Sequence, residues 1–220
     1  MGNDPFNRSP RYRQARINGV YFEPWIRKDY GFNSRWETPV LIVSESHYEW
    51  DDDRWARGDL LPRDETIRCT KNRAEEAEPR MFATNLATAF LGRQPKPNPP
   101  HGEMHEFWNS VAFYNFVQEC VGKPNMRPTP DGLRSSLKGF STVLSELQPK
   151  PRLVVVLGRL VWDTLKPHSP EQIPEYRTDD GQLVAGLPHL TRAFKAERWH
   201  PEISKLLDRA RHFVSLADHP

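Results

Sequence analysis

Pro151-Arg152-Leu153-Val154-Val155-Val156-Leu157-Gly158-Arg159 decides the fold. Five apolar residues in a row, three of them β-branched, with no polar alternation, read as a strand buried on both faces. Such strands belong to parallel sheets covered by helices on each side. A second run, Pro39-Val40-Leu41-Ile42-Val43, has the same character and breaks into Ser44-Glu45-Ser46-His47-Tyr48. In open α/β sheets the loop at the carboxyl end of a strand is where ligands bind. The aromatic stretch Phe107–Val117 places another strand near 111–116, and Leu183–Leu187, closed by Pro188 and His189, places the last.

Between these strands the helix signals alternate. Met81, Phe82, Leu86, Ala89 and Phe90 recur at helical spacing, and Gly92 follows as a C-cap. Thr129-Pro130 opens a helix as N-cap and first helical residue. Leu133, Leu137, Phe140, Leu144 and Leu147 then mark its buried stripe. A short helix carrying Leu160, Val161, Trp162 and Leu165 follows Gly158. A last helix starts at Pro201 with Ile203, Leu206, Leu207, Ala210 and Val214 on one face. Residues 49–80 and 166–181 read as polar loops. The fold class is α/β: a three-layer α/β/α sandwich with a short, mostly parallel four-stranded sheet over residues 39–220. Residues 1–38, with Arg8, Arg11, Arg13, Arg16, Arg27 and Arg35, form an N-terminal arm packed on it, and a solvated terminus is the competing reading.

Composition narrows the function. The 220 residues carry 31 Lys and Arg against 29 Asp and Glu, a formal charge of +2, which excludes a histone-like or acidic-tail protein. At 37% hydrophobic residues the chain has material for a core, which excludes global disorder. Seven Trp, six Tyr and eleven Phe suit a core and also base stacking. Cys69 and Cys120 are too few for a disulfide framework, a four-cysteine zinc site or an iron–sulfur cluster. No apolar run is long enough to span a membrane, and residues 1–14 lack a signal-peptide core. A cytoplasmic, nucleoid-associated monomer without cofactor or metal is the expectation.

Three polar groups stand at strand ends: Glu45 with His47, Asn115, and His189. In one cleft, a carboxylate orients water or steadies a cation, an amide reads a hydrogen-bonding edge, and a histidine donates to an oxyanion. Hydrolysis of an N-glycosidic bond needs these functions together. His200, before Pro201, competes with His189, but His189 directly follows a strand. His101 and His105 are four apart, as metal ligands on a helix would be, yet follow a proline loop and read as solvated. Arg63, Arg68, Lys71 and Arg73 are interleaved with acids and read as a mixed solvated face. Ser44 and Ser46 lack the GxSxG context of a serine nucleophile.

In order and spacing over residues 39–200 the chain resembles the uracil-DNA glycosylase superfamily. Val40 to Tyr48 is similar to that family's first motif, a strand ending in a GQDPYH or GEAPG loop. Phe113-Tyr114-Asn115-Phe116 resembles the strand whose asparagine reads the flipped base. Pro151 to Arg159 resembles the strand ending in LG. Leu187-Pro188-His189-Leu190-Thr191-Arg192 stands in the place of the HPS motif. Ser44 replaces the family's glycine, Ser46 stands at the GQDPYH aspartate, and Leu190 and Thr191 replace Pro and Ser.

The resemblance implies a monofunctional DNA glycosylase that flips a damaged or modified base, a pyrimidine by preference, out of single- or double-stranded DNA. Glu45 and His189 would be catalytic. Ser46, His47, Tyr48, Trp50 and Asn115 would bind the base, and Leu190, Thr191, Arg192 and Lys195 the DNA. Two alternatives stay open: antiviral excision of a hypermodified phage cytosine, and a DNA- or nucleotide-binding module of the same fold without catalysis.

Overall fold

The computed structural model describes residues 17–49, 51, 53, 60–75, 81–93, 99–123, 126–166, 174–190 and 194–212. Among them the strands are β1 (Val40–Ser44), β2 (Ala112–Asn115), β3 (Leu153–Leu157), β4 (Glu175–Arg177) and β5 (Leu183–Leu187). The helices are α1 (Glu65–Glu75), α2 (Met81–Leu91), α3 (His101–Ser110), α4 (Pro130–Glu146), α5 (Arg159–Leu165) and α6 (Ala196–Arg211). The sheet order is β2-β1-β3-β5-β4, with the first four strands parallel and β4 antiparallel to β5.

Alternation along the strands separates two cores. Val40, Ile42, Phe113, Val155 and Ala185 meet α2, α3 and α6 through Leu86, Phe90, Phe107, Trp108 and Ile203. Leu41, Val43, Tyr114, Val154, Val156 and Val184 meet α4 and α5 through Leu133, Phe140, Val143 and Trp162. Helices thus cover both faces, an arrangement compatible with a three-layer sandwich. Every residue of β3 and β5 is buried, which is why each reads as an unbroken apolar run. Each such Val or Leu contributes about 1.5–3 kcal/mol of burial. Thr129 caps α4 as expected: its Oγ1 accepts from Gly132 N at 3.0 Å.

Four expectations need correction. The sheet has five strands, not four: β4 lies inside the stretch read as loop. It is three residues long and half exposed, so no alternation exists to be read. Residues 49–80 are not all loop, since α1 occupies 65–75. Its buried face is Thr66, Thr70 and Ala74, four residues apart, with no apolar stripe to announce it. The stretch from His101 is helical up to Ser110, so His101 and His105 sit on α3, with rings 6.4 Å apart and side chains exposed. Finally, α6 starts at Ala196, and Pro201 lies inside it. Ala196 and Trp199 extend the buried stripe of Ile203, Leu206 and Leu207 by a turn, and that burial outweighs the backbone bond Pro201 cannot make.

The arm from residue 17 lies on the domain. Trp25 exchanges two backbone hydrogen bonds with Phe113 of β2 (2.8 and 2.9 Å), and its buried indole donates to Trp108 O at 2.8 Å.

Candidate active site

Parallel strands end on a common edge, and the register fixes what stands there. Ser44 is level with Asn115, Val43 with Val156, and Leu157 with Leu187. Glu45, Asn115, Gly158 and Pro188-His189 therefore leave the sheet at one height. Adjacent strands are about 4.8 Å apart, so the chain at Glu45 stands one strand from Asn115 and about 10 Å from β5.

Beyond the strands the backbones of two loops stay paired. Phe116 N donates to Ser44 O, Val117 N to Glu45 O, Val121 N to His47 O and Glu49 N to Gly122 O, at 2.8–3.1 Å. This ladder holds residues 45–49 in place and turns their side chains alternately. Glu45, His47 and Glu49 are buried, whereas Ser46 and Tyr48 are half-buried.

Glu45 is 5% exposed. The Tyr48 hydroxyl donates to its Oε1 at 3.2 Å, and the exposed Arg127 guanidinium lies 3.5 Å from Oε2. Burial raises the Tyr48 phenol above its ordinary value, and the Glu45 carboxylate adds to that, so the phenol keeps its proton and stays a donor. The arrangement is a nearly desolvated carboxylate held by one neutral and one cationic donor.

His47 forms the floor. Its Nε2 is 2.8 Å from Thr66 Oγ1 of α1. Asn115 Nδ2 lies 2.8 Å from Nε2 and 3.3 Å from Nδ1. The Phe22 ring stands edge-on at 4.5 Å. Burial, with the Arg73 charge behind it, pushes the His47 imidazole down to about 3, so it is neutral at physiological pH. Asn115 is buried too, and its backbone carbonyl accepts from Gln118 Nε2 at 2.8 Å. Gln118 Oε1 in turn accepts from Tyr21 N and Phe22 N, both 2.9 Å, which ties the arm to the site.

His189 is exposed and packs beside Gly158: a Cβ on that glycine would sit 3.6 Å from His189 Cδ2. Gly158 has φ +97°, and its N donates to Leu187 O at 2.8 Å, so the turn after β3 braces the end of β5. Leu190 needs correction as a DNA contact. It is 3% exposed and belongs to the larger core, which leaves it no surface to enter a duplex. Lys195 is exposed at the N-terminal flank of α6. Trp50, Thr191 and Arg192 lie outside the described residues. His200 is committed to packing: its Nδ1 meets Ala89 O at 2.9 Å and its ring covers Gly92, fastening α6 to α2.

The structure thus joins Glu45 to Tyr48 and His47 to Asn115, and brings His189 to the same edge. Sequence reasoning missed Thr66, Gln118, Arg127 and Phe22. Thr66, Arg127 and Phe22 reach the site across long chain separations, and Gln118, three residues from Asn115, bonds its backbone, which leaves no pattern in the sequence. Among the described residues no group of three His, Cys, Asp or Glu is placed to hold a metal ion, and no helix is long and apolar enough to cross a membrane. The chain matches no protein-family model and no curated protein.

Proposed function

We propose that the chain is a DNA glycosylase with the chemistry of the uracil-DNA glycosylase superfamily, acting on a flipped, damaged or modified pyrimidine. One observation carries the reading: a buried carboxylate (Glu45), a buried amide (Asn115) and an exposed imidazole (His189) stand at the same edge of the parallel strands. That edge is the ligand-binding side of such sheets.

In the reaction the C1′–N bond breaks and its electron pair leaves with the base. Glu45 faces the developing sugar cation and orients a water, whose oxygen bonds C1′. The water's proton passes to the Glu45 carboxylate and on to solvent. His189 donates a hydrogen bond to the anionic base, which is protonated after release. Asn115 pairs with the edge of the base, and Tyr48, beside Glu45, walls it. An abasic site and a free base are the products. The same reading takes the chain as a monomer working on DNA in the cytoplasm, and the two free thiols suit a reducing compartment.

The test is base release from DNAs holding uracil, hypoxanthine, oxidised pyrimidines, and hydroxymethylated or glucosylated cytosines. One base is expected to be released, with Glu45→Gln and His189→Ala each slowing release roughly 10²–10³-fold. Release confined to glucosylated cytosine would assign the chain to antiviral defence. DNA binding without release of any base would replace the enzyme with a binding module.

A further inference from the structure

The contact between Glu45 and Arg127 joins side chains in opposite surroundings. Glu45 is buried, whereas the Arg127 side chain is 76% exposed. Arg127 Nη1 lies 3.5 Å from Glu45 Oε2, and among the described residues no other carboxylate pairs with it. That one long contact engages one of the five N–H donors of the guanidinium and leaves most of the fork to solvent. A contact so exposed on one side adds little to stability. The backbone nevertheless fixes where Arg127 stands. Before it, Met126 N donates to Lys123 O at 3.1 Å. After it, Pro128 is buried and Thr129 caps α4. On the first turn of α4, Asp131 is engaged by Arg134 and does not draw Arg127 away.

The part assigned to Glu45 says which anion would fill the open fork. Its carboxylate faces C1′ of the flipped nucleotide, and the phosphates of that nucleotide are one sugar away. Binding therefore brings a phosphodiester towards a carboxylate already stripped of water, and the two anions repel. A guanidinium beside both attracts both, and its planar fork matches phosphate oxygens as it matches carboxylates. We propose that Arg127 is a DNA-backbone residue that grips a phosphate flanking the flipped nucleotide while staying against Glu45, and so offsets the repulsion between that carboxylate and the DNA. The inference rests on the glycosylase reading. It puts a backbone contact on the loop after β2, in addition to any on the stretch after β5, where Leu190 is buried.

The experiment measures Kd, over a range of salt concentrations, for a short duplex with one tetrahydrofuran abasic nucleotide. This probe offers the sugar and both phosphates but no base to release. Arg127→Gln should weaken binding about 10-fold and lower the slope of log Kd against log salt by about one. Lys150→Gln removes an exposed charge before β3, at the opposite end of the strands, and should leave the slope unchanged. An equal fall in both variants overturns the proposal, because net charge alone would then explain it. A neutral methylphosphonate is next placed at each of the two phosphates flanking the abasic nucleotide in turn. At one of them it should cost the unmodified protein what Arg127→Gln costs, and cost that variant nothing further. Additive losses at both positions overturn the proposal. Glu45→Gln should recover part of the affinity lost in Arg127→Gln and change affinity little when Arg127 is present. An equal effect of Glu45→Gln in both backgrounds overturns the offsetting role. Base release by the unmodified protein, with binding by Arg127→Gln unchanged, overturns this proposal alone. Release of no base, with the full Arg127 signature in binding, overturns the enzyme and leaves the phosphate contact to a binding module. Neither release nor binding overturns both.

Discussion

Acidification gives a direct measure of how completely His47 is shielded. Its imidazole falls from an ordinary value of 6.5 to about 3 in the folded chain, through burial first and the Arg73 charge second. The unfolded chain then binds a proton that the folded chain refuses throughout the window from pH 6.5 to 3. Stability is therefore whole above pH 6.5 and falls as pH drops, levelling off below pH 3. Linkage between these two values works out to a loss of about 2 kcal/mol between pH 7 and pH 5 and about 5 kcal/mol in full. Against a total of about 5–15 kcal/mol, the first figure is already large. The assay is urea unfolding at pH 7 and pH 5, on the unmodified chain and on His47→Gln, which cannot titrate. Other groups titrate in both proteins and cancel in the comparison. The unmodified chain should lose about 2 kcal/mol more than the variant over this interval. Parallel losses in the two proteins would refute the claim that His47 is buried and neutral.

Other consequences are equally open to measurement. Gly92 has φ +69°, and a Cβ there would lie 2.5–2.8 Å from three ring atoms of His200. Gly92→Ala should cost about 2–5 kcal/mol, from the left-handed backbone and the clash together, lowering Tm by roughly 4–20 °C. Adding His200→Ala should relieve the clash portion, and strict additivity in that double-mutant cycle would show the contact to be wrongly placed. Cys69 is pushed up to about 11 by burial and by the Glu65 carboxylate, which accepts from its thiol at 3.1 Å. At pH 8 a thiol reagent should label it about 100-fold more slowly in the folded chain than in denaturant. Equal rates would place that thiol in solvent.

The four parallel strands were legible because burial on both faces removes polar alternation and leaves continuous runs such as Leu153–Leu157. Helix α4 was legible from its Thr129-Pro130 start and its leucine stripe. Helix α1 was not, because Thr66, Thr70 and Ala74 fit under neighbouring helices by being small, and small polar residues look like loop. Strand β4 was too short to show a period. At the site, Glu45, His47, Asn115 and His189 could be singled out by position alone, since a strand end is a local feature. Their partners could not. Thr66 stands 19 residues from His47, and Arg127 stands 82 from Glu45. Leu190 misled because its place beside His189 suggested exposure, whereas its side chain turns into the core.

The backbone ladder between residues 44–49 and 116–122 has a consequence for how the lengths of the two loops can be changed. Each loop is the template for the other: Val117 answers Glu45, Val121 answers His47, and Glu49 answers Gly122. The two loops do not advance in step: between the first two pairs one loop runs two residues, 45 to 47, while the other runs four, 117 to 121. A change of length within 45–49 would move the carboxylate or the imidazole off its anchor, whereas the longer stretch between Val117 and Val121 has slack to absorb one. A library that varies the length of residues 45–49 would yield few folded clones, and one that varies the stretch between Val117 and Val121 would yield more.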